Sequence, residues 1–170
     1  HKGWSQSYVL RTVALPVVGV VPADSAAFDS TKEEWKCLRD TLHACWRQAA
    51  AANNMACSLL RAWDTGPIVK NAKGNDTLSP FPSNEQLLAL YHSMRENCPN
   101  LDSQTVSSLR QRVLARYREY RWDLRVTFKR SLPSYRFPEP VPIPKTVANL
   151  GWHDEGRPLL TFRAAGRRFA

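Results

Sequence analysis

Apolar residues recur three or four positions apart along most of the middle of this chain, the period of a helix with one face against a core. The first such stretch has apolar residues at positions 35, 38, 42, 45, 46, 49, 56, 60 and 63 and is introduced by Ser30-Thr31-Lys32-Glu33, which has the form of a capping box. Asp64-Thr65-Gly66-Pro67 ends it, and the segment from there to Pro82 reads as a polar, Gly/Pro/Asn-rich loop, long for a connection and therefore mobile or used in binding. A second capping box, Ser83-Asn84-Glu85-Gln86, opens a shorter helix through Leu87, Leu88, Tyr91 and Met94 that stops before Pro99. Asp102-Ser103 then caps a third helix, whose Val106, Leu109, Val113, Tyr117, Tyr120 and Leu124 make one stripe and which is expected to run to Leu132-Pro133. Three helices with one apolar stripe each are expected to fold by packing those stripes together.

The two ends of the chain have a different pattern. Residues 7–21 are rich in β-branched residues and broken by Pro16, as in two short strands or one bulged strand. Pro133, Pro138, Pro140, Pro142 and Pro144 exclude helix and enforce an extended backbone. Residues 151–157 read as a loop or hairpin turn, Pro158 to Arg163 alternates like a strand, and Gly166-Arg167-Arg168-Phe169 turns toward another. The pattern predicts an α+β fold: a β segment at 1–27, a helical lobe at 28–131 and a second β segment at 132–170.

Charge changes the picture most in the third helix. The whole chain carries +9, and the 34 residues from Ser103 to Arg136 hold nine basic residues against two acidic ones, a net +7. Arg110, Arg118, Arg121, Arg125 and Lys129 fall on a face beside the apolar stripe, with Arg112 and Arg116 on its other flank and Arg130 and Arg136 beyond. No acid of the helix interleaves with that face as it would on an ordinary solvated helix. Arginine forks bind phosphate oxygens in pairs and stack on bases, so the row predicts a polyanionic partner. Asn53, on the apolar face of the first helix, and Asn54 beside it, within a run of small residues, are two amides suited to a sugar or base edge, or equally to a neighbouring helix.

Composition narrows the class. An apolar fraction of 43% with six Trp indicates a globular chain. No apolar run approaches the roughly 18 to 20 residues that span a bilayer, and the start has no signal-peptide pattern. The first residue is not Met and the last residues read as part of a strand, so the sequence is expected to be a piece of a larger protein. Cys37, Cys45, Cys57 and Cys98 form no C-x-x-C pair and read as small core residues of a reducing, cytoplasmic protein. His43, His92 and His153 have no cysteine or carboxylate companion in a recognisable spacing, and no phosphate-loop, dinucleotide or zinc-protease motif occurs. No catalytic residue is assigned; the expectation is a binding module without metal or cofactor of its own.

The run Lys129-Arg130-Ser131-Leu132-Pro133-Ser134-Tyr135-Arg136, with Pro140-Val141-Pro142-Ile143-Pro144 and Asp154 to Arg163 after it, resembles the N-terminal half of RNA-guided type V CRISPR effectors and their TnpB relatives. The resemblance covers most of the chain by architecture and 129–168 by motif. It implies a helical recognition lobe inserted into a β-barrel called the wedge domain, in a prokaryotic, cytoplasmic antiviral protein with guide RNA and target DNA as partners. It implies that Arg121, Arg125, Lys129, Arg130, Tyr135 and Arg136 contact RNA or heteroduplex backbone, and that Arg157, Arg163, Arg167 and Arg168 contact guide RNA. The family's RuvC-like nuclease, with its acidic triad and magnesium, and its zinc ribbon lie beyond the matching region, so this chain has none of that cutting machinery. The other class weighed is a basic helical scaffold docking on an acidic protein or membrane surface, although tyrosines on the apolar side suit a protein core better than lipid.

Overall fold

The computed structural model describes residues 32–137, 141–144, 148–152, 158–164 and 167–169. The β segment expected at 7–21 and the cap at Ser30 lie outside them. Among the described residues the fold is mixed α+β, predominantly helical, in the order α1 (Lys32–Trp63), β1 (Ile68–Lys70), β2 (Asp76–Leu78), α2 (Asn84–Asn97), α3 (Ser103–Trp122), β3 (Ala148–Trp152), β4 (Pro158–Ala164) and β5 (Arg167–Phe169).

The three helices pack on one another through the stripes visible in the sequence. Leu42, Cys45, Ala49, Ala52, Ala56, Cys57 and Leu60 of α1 meet Leu90 and Met94 of α2 and Val106, Leu109, Val113 and Tyr117 of α3. The alanines on the inner face of α1 let a neighbouring backbone approach closely. Tyr117, fully buried, is among the largest core side chains. Leu88, expected on the α2 stripe, is exposed, and Leu90 takes the inward position.

Both readable caps form. Ser83 Oγ accepts from Gln86 N at 3.2 Å while Gln86 Oε1 accepts from Ser83 N at 2.8 Å, the reciprocal pair that satisfies two orphan donors. Asp102 Oδ1 accepts from the backbone N–H of Gln104 and of Thr105, each at 2.9 Å, and its Oδ2 accepts from the Thr105 hydroxyl at 2.6 Å.

Two expectations are corrected. The segment after α1 is a β-hairpin: β1 and β2 pair antiparallel with Ile68 opposite Leu78 and Lys70 opposite Asp76. Its turn is built by Asn71, whose Oδ1 accepts from Lys73 N at 2.9 Å and Asn75 N at 3.0 Å, and by Gly74 at φ 78°. The third helix is also shorter than expected. Regular α-helix ends at Trp122, widens into a π-helical turn at Asp123–Thr127 and closes at Phe128 in the left-handed region.

Beyond the helices, β3, β4 and β5 form one antiparallel sheet in sequence order, with Asn149 opposite Thr161 and Arg163 opposite Arg168. The β3 strand begins three residues before the turn expected at 151, and takes Gly151 and Trp152 into the ladder.

Candidate nucleic-acid interface

The basic face of α3 has an acid beside it after all. Asp64, the first residue past α1, is 1% exposed and sits under the end of α3. Arg121 grips it with two prongs, Nε to Oδ2 at 2.8 Å and Nη2 to Oδ1 at 2.7 Å. Arg125 Nη1 donates to Oδ1 at 2.8 Å and its Nη2 to the Gly66 carbonyl at 2.6 Å. The Tyr117 hydroxyl completes the set at 3.1 Å from Oδ2. Burial opposes the Asp64 charge, but the Arg121 hydrogen bond, the charges of Arg121 and Arg125, and the Tyr117 hydroxyl outweigh it and hold the carboxyl below the usual carboxylate range. Burial, with the adjacent Asp64 charge and hydrogen bond, pushes the Tyr117 phenol up.

The π-helical turn is part of this geometry, since Arg125 belongs to it. It places Arg125 where one guanidinium reaches both the Asp64 carboxylate and the Gly66 carbonyl at the foot of the hairpin. Gly66 itself is tightly enclosed, since a Cβ there would fall 2.1 Å from Ser79 Oγ.

The remaining arginines fall into two groups. Some are stacked or tied to the protein. Arg110 is half-buried, donates to the Leu87 carbonyl at 3.1 Å and lies 5.5 Å from the Tyr91 ring centre, joining α3 to α2. Arg112 lies 5.7 Å from the Tyr135 ring centre. Arg116 and Arg130 both lie over Tyr120, at 5.4 and 4.3 Å. Arg130 also pairs with Asp123 at 3.4 Å and Glu119 at 3.6 Å. Others face solvent: Arg116 and Arg130, stacked as they are, are exposed, as are Arg118, Lys129 and Arg136. Arg118 and Lys129 have no ion-pair partner among the described residues.

The extended segment after α3 is fastened across α1. Asn54 Nδ2 donates to the Tyr135 carbonyl at 2.9 Å, and Tyr135 N donates to Asn54 Oδ1 at 2.8 Å. Tyr135 is buried, so its ring belongs to the helical core. Phe137 then packs against His43 at 5.1 Å between ring centres, with Arg47 over its face at 5.3 Å. Asn53 is buried, and its Oδ1 has no hydrogen-bond partner among the described residues. Of the two amides, Asn54 is thus engaged by the protein's own backbone and Asn53 is enclosed.

Arg157 lies outside the described residues. Arg163 lies on β4, and Arg167 and Arg168 on β5. The sequence reading missed Asp64 as the partner of Arg121 and Arg125, and Tyr120 as the ring on which Arg116 and Arg130 stack. No helix among the described residues is long and apolar enough to cross a membrane. Comparison with known proteins finds no matching family model and no matching curated protein.

Proposed function

We propose that this chain binds nucleic acid, as the guide- and target-recognition part of an RNA-guided effector of the type V or TnpB kind. The observation that carries the reading is the surplus of arginine left after the fold has used what it needs. Nine basic residues between Ser103 and Arg136 face three acids, counting Asp64. Arg116, Arg118, Lys129, Arg130 and Arg136 remain exposed. Arg116 and Arg130 stack on one tyrosine, which fixes their planes and lowers the entropy of gripping a phosphate. In this reading Arg116, Arg118, Lys129 and Arg136 contact the backbone of guide RNA or of the guide–target heteroduplex. The three-stranded sheet belongs to a wedge-like barrel. Arg163 and Arg168, paired in register, would then meet the guide scaffold. The protein would work in a prokaryotic cytoplasm, with no cofactor of its own.

The experiment is recovery and sequencing of RNA that copurifies with the chain, beside a variant with Arg116, Arg118 and Lys129 all changed to Glu. One defined structured RNA, lost in the variant and released steeply as salt rises, is the expected result; each phosphate contact adds roughly 0.7 to 0.9 to the log–log salt slope. Heterogeneous RNA bound equally by the variant, or no RNA, would overturn it, and vesicle or acidic-protein binding in its place would favour a basic docking scaffold.

A further inference from the structure

Phe128 is the one non-glycine residue with positive φ among the described residues, at φ 55° and ψ 25°, and it is 75% exposed. Each feature alone is unfavourable. A Cβ is crowded in the left-handed region, where Gly or Asn is the usual choice, and an exposed benzyl group gains nothing from burial. The two coincide at the exit of a π-helical turn, a distortion frequent at functional sites.

The surroundings hold this conformation in place. On the near side, Arg125 is fixed to Asp64 at 2.8 Å and to Gly66 at 2.6 Å. Within the turn, the Thr127 hydroxyl donates to Asp123 Oδ1 at 2.9 Å. On the far side, Arg130 lies over Tyr120 and pairs with the same Asp123 at 3.4 Å. The chain is anchored before and after Phe128, and the ring between the anchors points to solvent. Exposed Lys129 follows it directly.

Resting on the nucleic-acid reading above, we infer that Phe128 is a stacking platform for an unpaired nucleobase, with Lys129 taking the adjacent phosphate. Charge decides the occupant. An apolar pocket of a partner protein would set Phe128 among uncharged neighbours, because the centres of protein interfaces are depleted in lysine. An aromatic face beside an exposed cation matches a base and its phosphate, the pairing that single-strand binders use.

The test measures binding of the full chain to a labelled mixed-sequence single-stranded RNA and to the same strand in a blunt duplex. Phe128→Gly and Phe128→Asn relieve the backbone and remove the ring, while Phe128→Trp keeps an aromatic plane. Both ring-removing variants are expected to melt no lower than wild type and to bind the single strand roughly five- to hundred-fold more weakly. Their duplex affinity and salt slope should be unchanged, and Phe128→Trp should bind the single strand as wild type does. Unchanged single-strand affinity in Phe128→Gly and Phe128→Asn, or equal loss on strand and duplex, would sink the stacking role while tight wild-type binding left the nucleic-acid reading standing. A wild-type chain that binds neither RNA would sink both.

Discussion

Arg125 Nη1 lies 2.8 Å from Asp64 Oδ1 across 61 residues of chain, and the same guanidinium reaches Gly66. Two further groups, Arg121 and Tyr117, share that carboxylate, so one buried acid joins the end of α1, the foot of the hairpin and the last turns of α3. An acid at a helix C-terminus is on the unfavourable side of the helix dipole. Here the two guanidinium groups reverse that cost, and they in turn depend on the acid to be buried at all.

Removing the acid should therefore damage the fold far more than an exposed charge substitution does. Asp64→Asn leaves the part-buried Arg121 and Arg125 without a counter-charge and is expected to cost about 3–5 kcal/mol in urea unfolding. Replacing all three by apolar residues of similar volume should recover much of that loss, because the desolvation of the ions disappears with them. Asp64→Asn within a few tenths of wild type would show that the cluster contributes no net stability.

The acid limb of stability follows from the same carboxyl. Its folded pKa is depressed, so the unfolded state takes up the proton first and the cluster's contribution is present above the unfolded value of about 3.9. That contribution is lost as pH falls through the folded value. The stability gap between wild type and Asp64→Asn should hold steady from pH 7 to about 4 and narrow below it. A gap that narrowed between pH 7 and 5 would contradict the depressed carboxyl.

Asn54 offers a test of how the Pro-rich segment is held. Its amide both donates to and accepts from the Tyr135 backbone. Asn54→Ala leaves two backbone groups unpaired and is expected to cost about 1–3 kcal/mol. Limited proteolysis should shift toward residues 131–137 in that variant, with the α1–α2–α3 core still resistant. Loss of resistance throughout would mean that Asn54 supports the helices themselves.

Three of the four cysteines should be chemically silent. Cys45, Cys57 and Cys98 are buried, and burial pushes the Cys57 and Cys98 thiols up to about 11. Alkylation mapped by mass spectrometry at pH 8 is expected to leave all three unmodified in the native protein and to label them on unfolding. Native labelling of Cys57 or Cys98 at the rate of a free thiol would contradict the buried placement.

The helices were legible because their signals are local. Spacing marks Val106, Leu109 and Val113 as buried, and Ser83-x-x-Gln86 marks a start that forms as read. The hairpin was less so: its strands are three residues each, too short for alternation to stand out beside Asn71 and Gly74. The Asp64 cluster was not legible from periodicity at all, since its partners lie 53 to 61 residues apart. The misplaced acid at the exit of α1 was the available clue, in a chain otherwise rich in arginine. The π-helical turn carries Arg125 to Asp64 and Gly66, tertiary contacts that helical spacing does not encode.

That misreading separates two kinds of arginine that look alike in sequence, and the separation is measurable. Arg118 and Arg121 are three residues apart on the same helix, yet Arg118 faces solvent and Arg121 clasps a buried carboxylate. Arg121→Glu sets a second acid against Asp64 and should unfold the chain or lower its stability by about 3–5 kcal/mol or more. Any loss of RNA binding in it would then be uninterpretable as loss of a contact. Arg118→Glu should stay within about 0.5 kcal/mol of wild type, as surface substitutions do. Under the proposed function it should weaken RNA binding and shallow the salt slope by roughly one contact. Circular dichroism melting alongside salt-titrated binding for the two variants decides the matter. An Arg118→Glu protein that is fully folded and binds RNA with the wild-type slope would remove Arg118 from the interface.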